Sequence, residues 1–532
     1  MLCWALVLVA VGVRVLVLPP GARSLFPVFR QAGEDWAEQH DLYPETVQGP
    51  NYPLFRYSPA VATAFAPFAL LDTKPGDLVW RVFNTGVLVG GVYWALRRLP
   101  QPALSARQLA IVFALMVPPA LGHLSNGQCN AMVIGLVLAG YAAAADRRWN
   151  LSAVALAAAT LLKLYPAAPA LLLTALHPRQ LGPRYAVALA TGFGLPFALG
   201  EPSYVAHQYD LWVRYFSAED RSAWPIENTN VDFQLLARVW ANPIRIETYR
   251  VVEVGAGLAF AALTVGSARR WRSAGRAAPL ALGLGSVWMT TFGPATESPT
   301  YLLLAPSACL AVVSTWARYP QDLVLRWLTL IAYALPLSVQ LTAWYQPLFY
   351  AYRTMGPQPV AGLLLAAALL WADRRARESV ARMAPRSAEN QASAWAAWAP
   401  TLRAHDRNHL TSLVIPVYNP GPEIERTWYA VTELIQSLDK PWEVIFVCDG
   451  CTDGTLDRLR ALAATGKGPF QVLGYPVNRG KGYAVRTGLA VARGRWLLFT
   501  DADLAYSPDD VVRVADHLWA GAAVAVACRE HP

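Results

Sequence analysis

The sequence predicts an α-helical polytopic membrane protein followed by a smaller α/β domain, and three observations carry that prediction. The 532 residues are 55% hydrophobic and include 20 tryptophans, with a positive mean hydropathy of +0.28. The apolar residues come in long blocks separated by arginine clusters. Past residue 410 the pattern changes to short buried runs that end in Gly/Asp loops, as strands alternating with helices do. A net charge of +9 in a soluble chain would suggest nucleic acid. Here the arginines lie between apolar spans, where membrane topology and anionic lipid account for them, and no basic cluster with interleaved aromatics argues for RNA or DNA. The six cysteines are scattered and imply no disulfide framework.

Twelve spans are expected, at 2–18, 77–96, 109–122, 131–145, 151–162, 166–176, 185–199, 251–265, 280–292, 301–316, 325–343 and 360–371. The first lacks a basic leader and a small-residue cleavage site, so it reads as a transmembrane helix. Its Arg14 either snorkels to the interface or meets a lipid phosphate. With the N-terminus inside, Arg97-Arg98, Arg147-Arg148, Arg179 with Arg184, Arg269 to Arg272, Arg318 and Arg374 to Arg377 all fall in cytoplasmic loops, as the positive-inside rule requires. The chain is then integral to the cytoplasmic (inner) membrane with both termini cytoplasmic. That parity holds if 60–71 does not span and if 151–176 is a hairpin broken at Lys163-Leu-Tyr-Pro166.

The same topology gathers the unusual polar residues on the outer face: Glu34, Asp35, Asp41, Arg56, His123 to Asn130, Lys163 to Tyr165 and Glu297. Ionisable groups at the edge of a membrane domain are costly and are functional candidates by default. The ordered run Phe29-x-x-Ala-Gly-x-x-Trp36, Asp41-Leu-Tyr43, Phe55-Arg-Tyr-Ser-Pro59, Trp80-Arg81, Asn126-Gly-Gln-Cys-Asn130, Lys163-Leu-Tyr-Pro166, Tyr204-Val-x-x-Gln208 and Gly293 to Tyr301 resembles glycosyltransferase family 87 over roughly residues 1–372. The resemblance implies a GT-C-type membrane enzyme that takes a polyprenyl-phosphate sugar as donor and uses a carboxylate of the first outer loop as base. An acceptor hydroxyl must lose its proton as it attacks the anomeric carbon, while a cation stabilises the departing lipid phosphate. Asp41, Asp35 and Glu34 are the candidate bases, in that order, with Glu297 as the catalytic or binding alternative. Arg56, Arg81 and Lys163 are the phosphate candidates, and Gln128, Asn130 and Tyr165 join them as substrate-binding residues. The plainer readings are helix-start charge for Glu34 and Asp35, snorkelling for Lys163, and a satisfied interfacial histidine for His123. Related enzymes carry an aspartate nearer the end of the first helix, and 24–29 holds none.

Residues 373–409 read as a cytoplasmic linker, rich in Arg, Ser and Ala, with an amphipathic helix around Trp395 and Trp398 that suits lipid headgroups. From 410 to 532, Ser412 to Asn419 and Trp442 to Thr455 read as buried strands running into turns, with a helix from Val431 to Leu438 between them. Asn478-Arg-Gly-Lys-Gly opens a helix as a basic, glycine-rich loop suited to phosphate. Asp501 and Asp503 end an apolar run as a D-x-D pair. On a strand they share a side and together suit one hard cation, Mg²⁺ or Mn²⁺, beside substrate phosphates.

The V-I-P-V-Y-N strand, the D-G-x-T-D-G-T loop, N-R-G-K-G-x-A-V-R-x-G and D-A-D-L together resemble the nucleotide-binding half of a family 2 glycosyltransferase of GT-A (Rossmann-like) fold, of the dolichyl- or polyprenyl-phosphate hexosyltransferase branch. The resemblance implies that Pro416, Tyr418 and Asp449 surround the nucleoside of a UDP- or GDP-hexose. It implies further that Lys481, Arg486 and Asp501 meet the rest of the nucleotide-sugar and that Asp501 and Asp503 hold the metal. Two features depart from that pattern. Cys448-Asp449 stands where the family has paired aspartates, so one base acceptor is lost; a redox or half-zinc reading of Cys448-x-x-Cys451 is the alternative. The family's acceptor side does not follow, so the domain reads as partial, from a truncated, split or decaying gene. The expected function is a two-part membrane hexosyltransferase that makes and then uses polyprenyl-phosphate hexose. The alternatives are a flippase for lipid-linked sugar, and a GT-C enzyme carrying an inactive GT-A platform.

Overall fold

The fold divides into two units, Met1–Arg377 and Glu378–Pro532. The computed structural model describes every residue except 1, 23, 44–54, 100–103, 219–223, 227–228, 272, 295, 344, 384–409, 466–468, 505–506 and 528–532. Most of the expected linker, with Trp395 and Trp398, lies outside the described residues, as does the end of the chain from Cys528.

The first unit is helical. Its helices are α1 (Leu2–Val17), α2 (Phe26–Glu38), α3 (Pro59–Ala69), α4 (Thr73–Arg98), α5 (Ala106–Leu115), α6 (Val117–Asn126), α7 (Asn130–Ala145), α8 (Trp149–Leu162) and α9 (Ala167–Leu176). They continue with α10 (Pro178–Leu199), α11 (Pro202–Ala218), α12 (Phe233–Trp240), α13 (Ile246–Trp271), α14 (Ala274–Val287), α15 (Ala305–Arg318), α16 (Leu323–Leu341), α17 (Gln346–Arg353) and α18 (Pro357–Met383). Every expected span falls on helix. Among the described residues three helices are long and apolar enough to cross a membrane, or up to five if the bent pairs α5/α6 and α17/α18 each count once. Several of the rest are short, because an α-helix rises about 1.5 Å per residue and a bilayer core needs about 20 residues. The unit is therefore that of a membrane protein, although fewer than twelve of its segments have full spanning length. The break expected after Leu162 is present: Lys163 is extended at φ −152°, and Pro166 caps α9. At the far end α18 continues as helix to Met383, beyond the boundary expected at residue 372.

Two contacts set how this bundle closes. Helices α4 and α7 cross at glycines, where a Cβ on Gly91 would meet the Gly135 carbonyl oxygen at 2.2 Å and one on Gly135 would meet that of Val87 at 2.4 Å. Small residues let helices approach this closely in lipid, where apolar burial gives no drive to association. The second contact is ionic. Arg81, 3% exposed on α4, donates Nε to Asp77 Oδ1 at 2.9 Å and Nη2 to Asp77 Oδ2 at 3.0 Å. It also donates Nη2 to Ser24 Oγ at 3.0 Å and Nη1 to the Leu124 carbonyl. The guanidinium thus ties α4 to the segment before α2 and to α6.

In the second unit β1 (Thr411–Val417), β2 (Trp442–Asp449), β3 (Phe470–Tyr475) and β4 (Trp496–Phe499) form one parallel sheet in the order β3-β2-β1-β4. The helices α19 (Ile424–Ser437), α20 (Thr455–Thr465), α21 (Lys481–Val491) and α22 (Pro508–Trp519) alternate with the strands. Strands β1 and β2 are buried along their whole length, as parallel strands covered on both faces are. One face packs Leu413, Ile415 and Phe446 with Trp428, and the other packs Val414, Ile445 and Val447 with Ala484. Buried Glu443 of β2 accepts from Ser412 Oγ at 2.6 Å, Arg493 N–H at 2.6 Å and Gln471 Nε2 at 3.2 Å, so its carboxyl links three strands at the edge away from the loops. Pro416 sits past Val414, where the β1–β4 ladder ends, so its missing N–H costs no bond on that side.

Gly135→Leu is expected to lower the thermal unfolding midpoint of the purified protein by the cost of overpacking, about 1–3 kcal/mol or more. Gly86→Leu on the facing helix α4, with nothing within 4 Å of its Cβ position, serves as the silent control. Asp77→Leu leaves a buried guanidinium unpaired and is expected to destabilise by about 3–5 kcal/mol, most of which Asp77→Leu/Arg81→Met restores. A double variant as unstable as the single one would show that Arg81 is not held chiefly by this pair.

Candidate functional site

In the second unit the candidate residues converge at the C-terminal ends of the strands. The strand order reverses between β1 and β4, and at such a switch point the loops diverge and leave a crevice. Asn419, in the left-handed region at φ 46°, accepts the Thr452 N–H at 2.8 Å, and the Gly421 N–H reaches Asp453 Oδ2 at 2.6 Å. Burial opposes ionisation of Asp453 slightly, but donors from Thr455 and Gly421 outweigh it and hold the carboxyl below its usual range. Asp449, 3% exposed, accepts the Arg479 N–H at 2.7 Å. The residue after it must be glycine: Gly450 has φ +69°, and a Cβ there would stand 2.2 Å from Asn478 N. Tyr418 is exposed beside this loop, and Arg479 lies over the Tyr483 ring at 5.0 Å.

Gly480, at φ +87°, turns the chain into α21, whose first residue Lys481 pairs through Nζ with Asp501 Oδ1 at 2.5 Å. Their side chains are 56% and 39% exposed, so the pair contributes little stability of its own. Asp501 and Asp503 are not on a strand. Strand β4 stops at Phe499 and the pair lies in the turn that follows, pinned by Thr427 Oγ1 donating to the Ala502 carbonyl at 2.6 Å. The period-two argument for a shared side therefore does not apply, and Asp503 is the more exposed of the two. A hard cation still fits: Mg²⁺ asks for one or two carboxylates and takes the rest from phosphate and water, and the Lys481 ammonium already marks Asp501 as a place for positive charge. No group of three or more metal-ligating side chains occurs among the described residues. Arg486 is exposed five residues along α21, and the helical repeat turns it roughly 140° from Lys481. Cys448 is buried, which pushes its thiol up, and Cys451 donates Sγ to the Val417 carbonyl at 3.4 Å. Both cysteines are free.

In the first unit most of the candidates expected on the outer face join one polar network. Asn84 accepts the Met132 N–H at 2.7 Å and donates to the Gln128 carbonyl at 2.9 Å, and His123 accepts the Ala131 N–H at 3.2 Å. These bonds satisfy the orphan donors of the α7 N-terminus, which accounts for His123. Asn130 donates to Gln128 Oε1 at 3.2 Å and accepts Tyr165 Oη at 3.0 Å. Partly buried Lys163 lies 5.4 Å from the Tyr165 ring and 5.9 Å from that of Tyr57. Glu297 faces Lys163, Tyr57 and Tyr165 electrostatically and caps the 3₁₀ turn Ser298–Leu304.

The first-loop carboxylates divide differently. Glu34 pairs with Arg30 at 2.6 Å and Asp35 accepts from Gln31 at 2.9 Å, both local contacts along α2. Asp41 is gripped from α11: Gln208 Nε2 donates to Oδ1 at 2.7 Å and His207 Nε2 lies 3.5 Å from the same oxygen. Two residues on, Tyr43 Oη donates to the Tyr57 carbonyl at 2.5 Å, linking this segment to the Lys163 group. Arg56 is partly buried beside Tyr57 in the chain. Arg81 is committed to Asp77 as described. Sequence reasoning missed Arg353, the last residue of α17, which donates to Ser298 Oγ at 3.2 Å and to the Thr229 carbonyl at 3.0 Å. Its one sequence signal is a charge between two apolar blocks.

Residues 55–306 match glycosyltransferase family 87, a narrower stretch than 1–372 that leaves Glu34, Asp35 and Asp41 outside it, and residues 412–532 match glycosyl transferase family 2. Curated proteins similar to the second region include the dolichyl-phosphate beta-glucosyltransferase of Saccharomyces cerevisiae, 35% identical over 22% of this chain and 37% of that protein. The dodecaprenyl-phosphate galacturonate synthase of Rhizobium johnstonii is 32% identical over 20% of this chain and 32% of its own length. The chain thus spans about a third of the length of these relatives. A solved structure of ArnT from Cupriavidus metallidurans, bound to undecaprenyl phosphate, aligns with 88% of this chain and 89% of its own at 16% identity and a TM-score of 0.34. Two regions that match glycosyltransferase families follow one another in this chain, family 87 at residues 55–306 and family 2 at residues 412–532.

Proposed function

We propose that the protein is a membrane hexosyltransferase in which the second unit makes a polyprenyl-phosphate hexose from a UDP- or GDP-hexose and the first unit passes such a hexose to an acceptor outside the membrane. The observation that carries the reading is the crevice between β1 and β4, where a helix-start lysine and a turn aspartate meet beside a buried aspartate. Three kinds of group suit a nucleotide-sugar there. Asp449 and Tyr418 border the nucleoside, Lys481 and the α21 N-terminus meet the diphosphate, and Asp501 with Asp503 would hold Mg²⁺ or Mn²⁺. That cation, when bound, neutralises charge on the leaving diphosphate. A phosphate oxygen of the lipid attacks the anomeric carbon as the bond to the nucleoside diphosphate breaks, and it needs little help from a base. Where the family's paired aspartates would meet the base, Cys448 supplies no carboxylate.

In the first unit Lys163 receives the lipid phosphate, with Asn130 and Tyr165 holding its surroundings. Asp41, oriented by Gln208, takes the proton of the acceptor hydroxyl. The arginine clusters support an inner-membrane topology with both termini cytoplasmic.

Membranes carrying the chain are expected to move radiolabelled sugar from UDP-glucose or GDP-mannose into the lipid fraction, and Asp503→Asn is expected to abolish this. Supplied with polyprenyl-phosphate hexose, the Asp503→Asn membranes should still glycosylate acceptor, whereas Asp41→Asn is expected to slow that step by about 10²–10⁴-fold. Label in lipid that is indifferent to Asp503 would overturn the first assignment, and acceptor transfer indifferent to Asp41 the second.

A further inference from the structure

Helix α1 ends beside an open cleft of about 320 Å³, counting the solvent at its mouth, that lies between α1, the start of α4 and the end of α6. Its polar lining residues are Arg14, Thr73, Lys74, Asp77, Arg81 and Ser125. Arg81 takes up both carboxylate oxygens of Asp77, so that pair is closed on itself. Lys74 spends one of its three donors on the Leu16 carbonyl at 2.8 Å, which ties the start of α4 to the end of α1. The Arg14 guanidinium and the Thr73 and Ser125 hydroxyls have no hydrogen-bond partner among the described residues.

Three cations and one carboxylate thus border one space, and with Asp77 and Arg81 cancelling each other the charges of Arg14 and Lys74 remain. At the edge of a membrane unit such charge calls for an anion or water to compensate it. Arg14 and Lys74 are both partly exposed, so a ligand can reach them. Snorkelling alone would carry Arg14 toward water, whereas here it shares a cleft with buried Asp77 and Arg81. The flank of α1 beside Arg14 is apolar and uncovered: Leu6, Val13 and Val17 are 60%, 54% and 77% exposed. The helical repeat places these three within roughly 40° of one another around α1. Cations at the helix end above an apolar stripe are the pattern of a lipid with a charged headgroup. A guanidinium fork can bind two phosphate oxygens while a lysine acts as a point charge. The one carboxylate of the cleft is already paired, so the grouping suits binding and not proton transfer.

We propose that the cleft between α1, α4 and α6 binds the phosphodiester headgroup of an anionic membrane phospholipid, with Arg14 and Lys74 on the phosphate and an acyl chain along Leu6, Val13 and Val17. The hydroxyls of Thr73 and Ser125 are at hand for the remaining oxygens. A phosphate held there joins α1 to α4 through a cation of each helix. The assignment needs only the membrane character of the first unit and is independent of the role given to Lys163.

The test is binding of phosphatidylglycerol to the purified full chain in detergent, read by native mass spectrometry, with phosphatidylcholine, polyprenyl phosphate and inorganic phosphate as probes beside it. The native chain is expected to hold phosphatidylglycerol in preference to phosphatidylcholine. Arg14→Gln should weaken phosphatidylglycerol by about tenfold to a hundredfold, the loss of one charge-assisted contact, and Arg14→Lys should recover most of that loss. Arg107→Gln, on the exposed side of α5, should bind as the native chain does. Should Arg14→Gln unfold more readily than the native chain in lipid-free detergent, Lys74→Gln reads the same loss of affinity from the other helix. The proposal falls if Arg14→Gln and Lys74→Gln both bind phosphatidylglycerol like the native chain, and Arg14 is then a snorkelling residue. It falls as well if Arg107→Gln weakens binding equally, since the lipid then answers to surface charge in general. Polyprenyl phosphate binding more tightly than phosphatidylglycerol, with the same dependence on Arg14, overturns the phospholipid assignment in favour of the donor lipid. Inorganic phosphate binding as tightly, with that dependence, overturns it in favour of the free ion.

Discussion

Polar groups inside an apolar helical bundle must find their partners within the protein, and the first unit is arranged around that constraint. Asp77 and Arg81 neutralise each other, Asn84 and His123 serve the start of α7, and Asn130 passes the chain of bonds to Tyr165 beside Lys163. Each link answers a donor or charge that would otherwise be stranded. The same links run through the backbone of Gly127 to Asn130 and reach Tyr165, beside which Lys163 lies. Structural satisfaction and site construction are one network here, so the residues nearest the chemistry inherit their positions from residues that do none.

The second unit meets a different constraint with a different device. A parallel sheet buries both faces and leaves only strand ends and loops for function. The Glu443 carboxyl lies at the N-terminal side, where it ties strands together, while Asp449, Asp453 and Asp501 lie at the opposite side, each engaged with a loop or a lysine. Position along the strand separates the structural carboxylate from the candidate ones. It also bears on base recognition, since one oxygen of Asp449 is already bonded to the Arg479 N–H and Cys448 turns a buried thiol inward.

Much of this was legible in the sequence because period and punctuation are local. The apolar blocks fall on helices, the break at Lys163 to Pro166 follows from an extended residue and a proline, and the Gly/Asp loops fall at strand ends. The failures come where a partner or an element's end leaves no mark at the residue itself. Arg81 looked available for phosphate because its commitments to Ser24 and Leu124 are invisible along α4. Glu34 and Asp35 read as candidate bases, and the structure pairs them with Arg30 and Gln31 one turn away on α2. The D-x-D pair was placed on a strand because the apolar run before it has no marked end, whereas β4 stops at Phe499. Arg353 had no motif at all, and its meaning comes from Ser298 and Thr229, 55 and 124 residues away.

The two units also differ in how they can treat a phosphate, and the difference follows from their surroundings. At the strand ends Lys481 and Asp501 are solvated, so an arriving diphosphate can bring a divalent cation and exchange the lysine pair for it at little cost. In the helical unit water is scarcer, an ion pair is harder to open, and a surplus cation is worth more to an anion that satisfies it. A diphosphate leaving group with its metal therefore suits the second unit, and a single lipid phosphate held by protein cations suits the first. The order of the two reactions in the proposed scheme, metal-assisted loading before transfer from lipid, agrees with where each kind of charge is least expensive to hold.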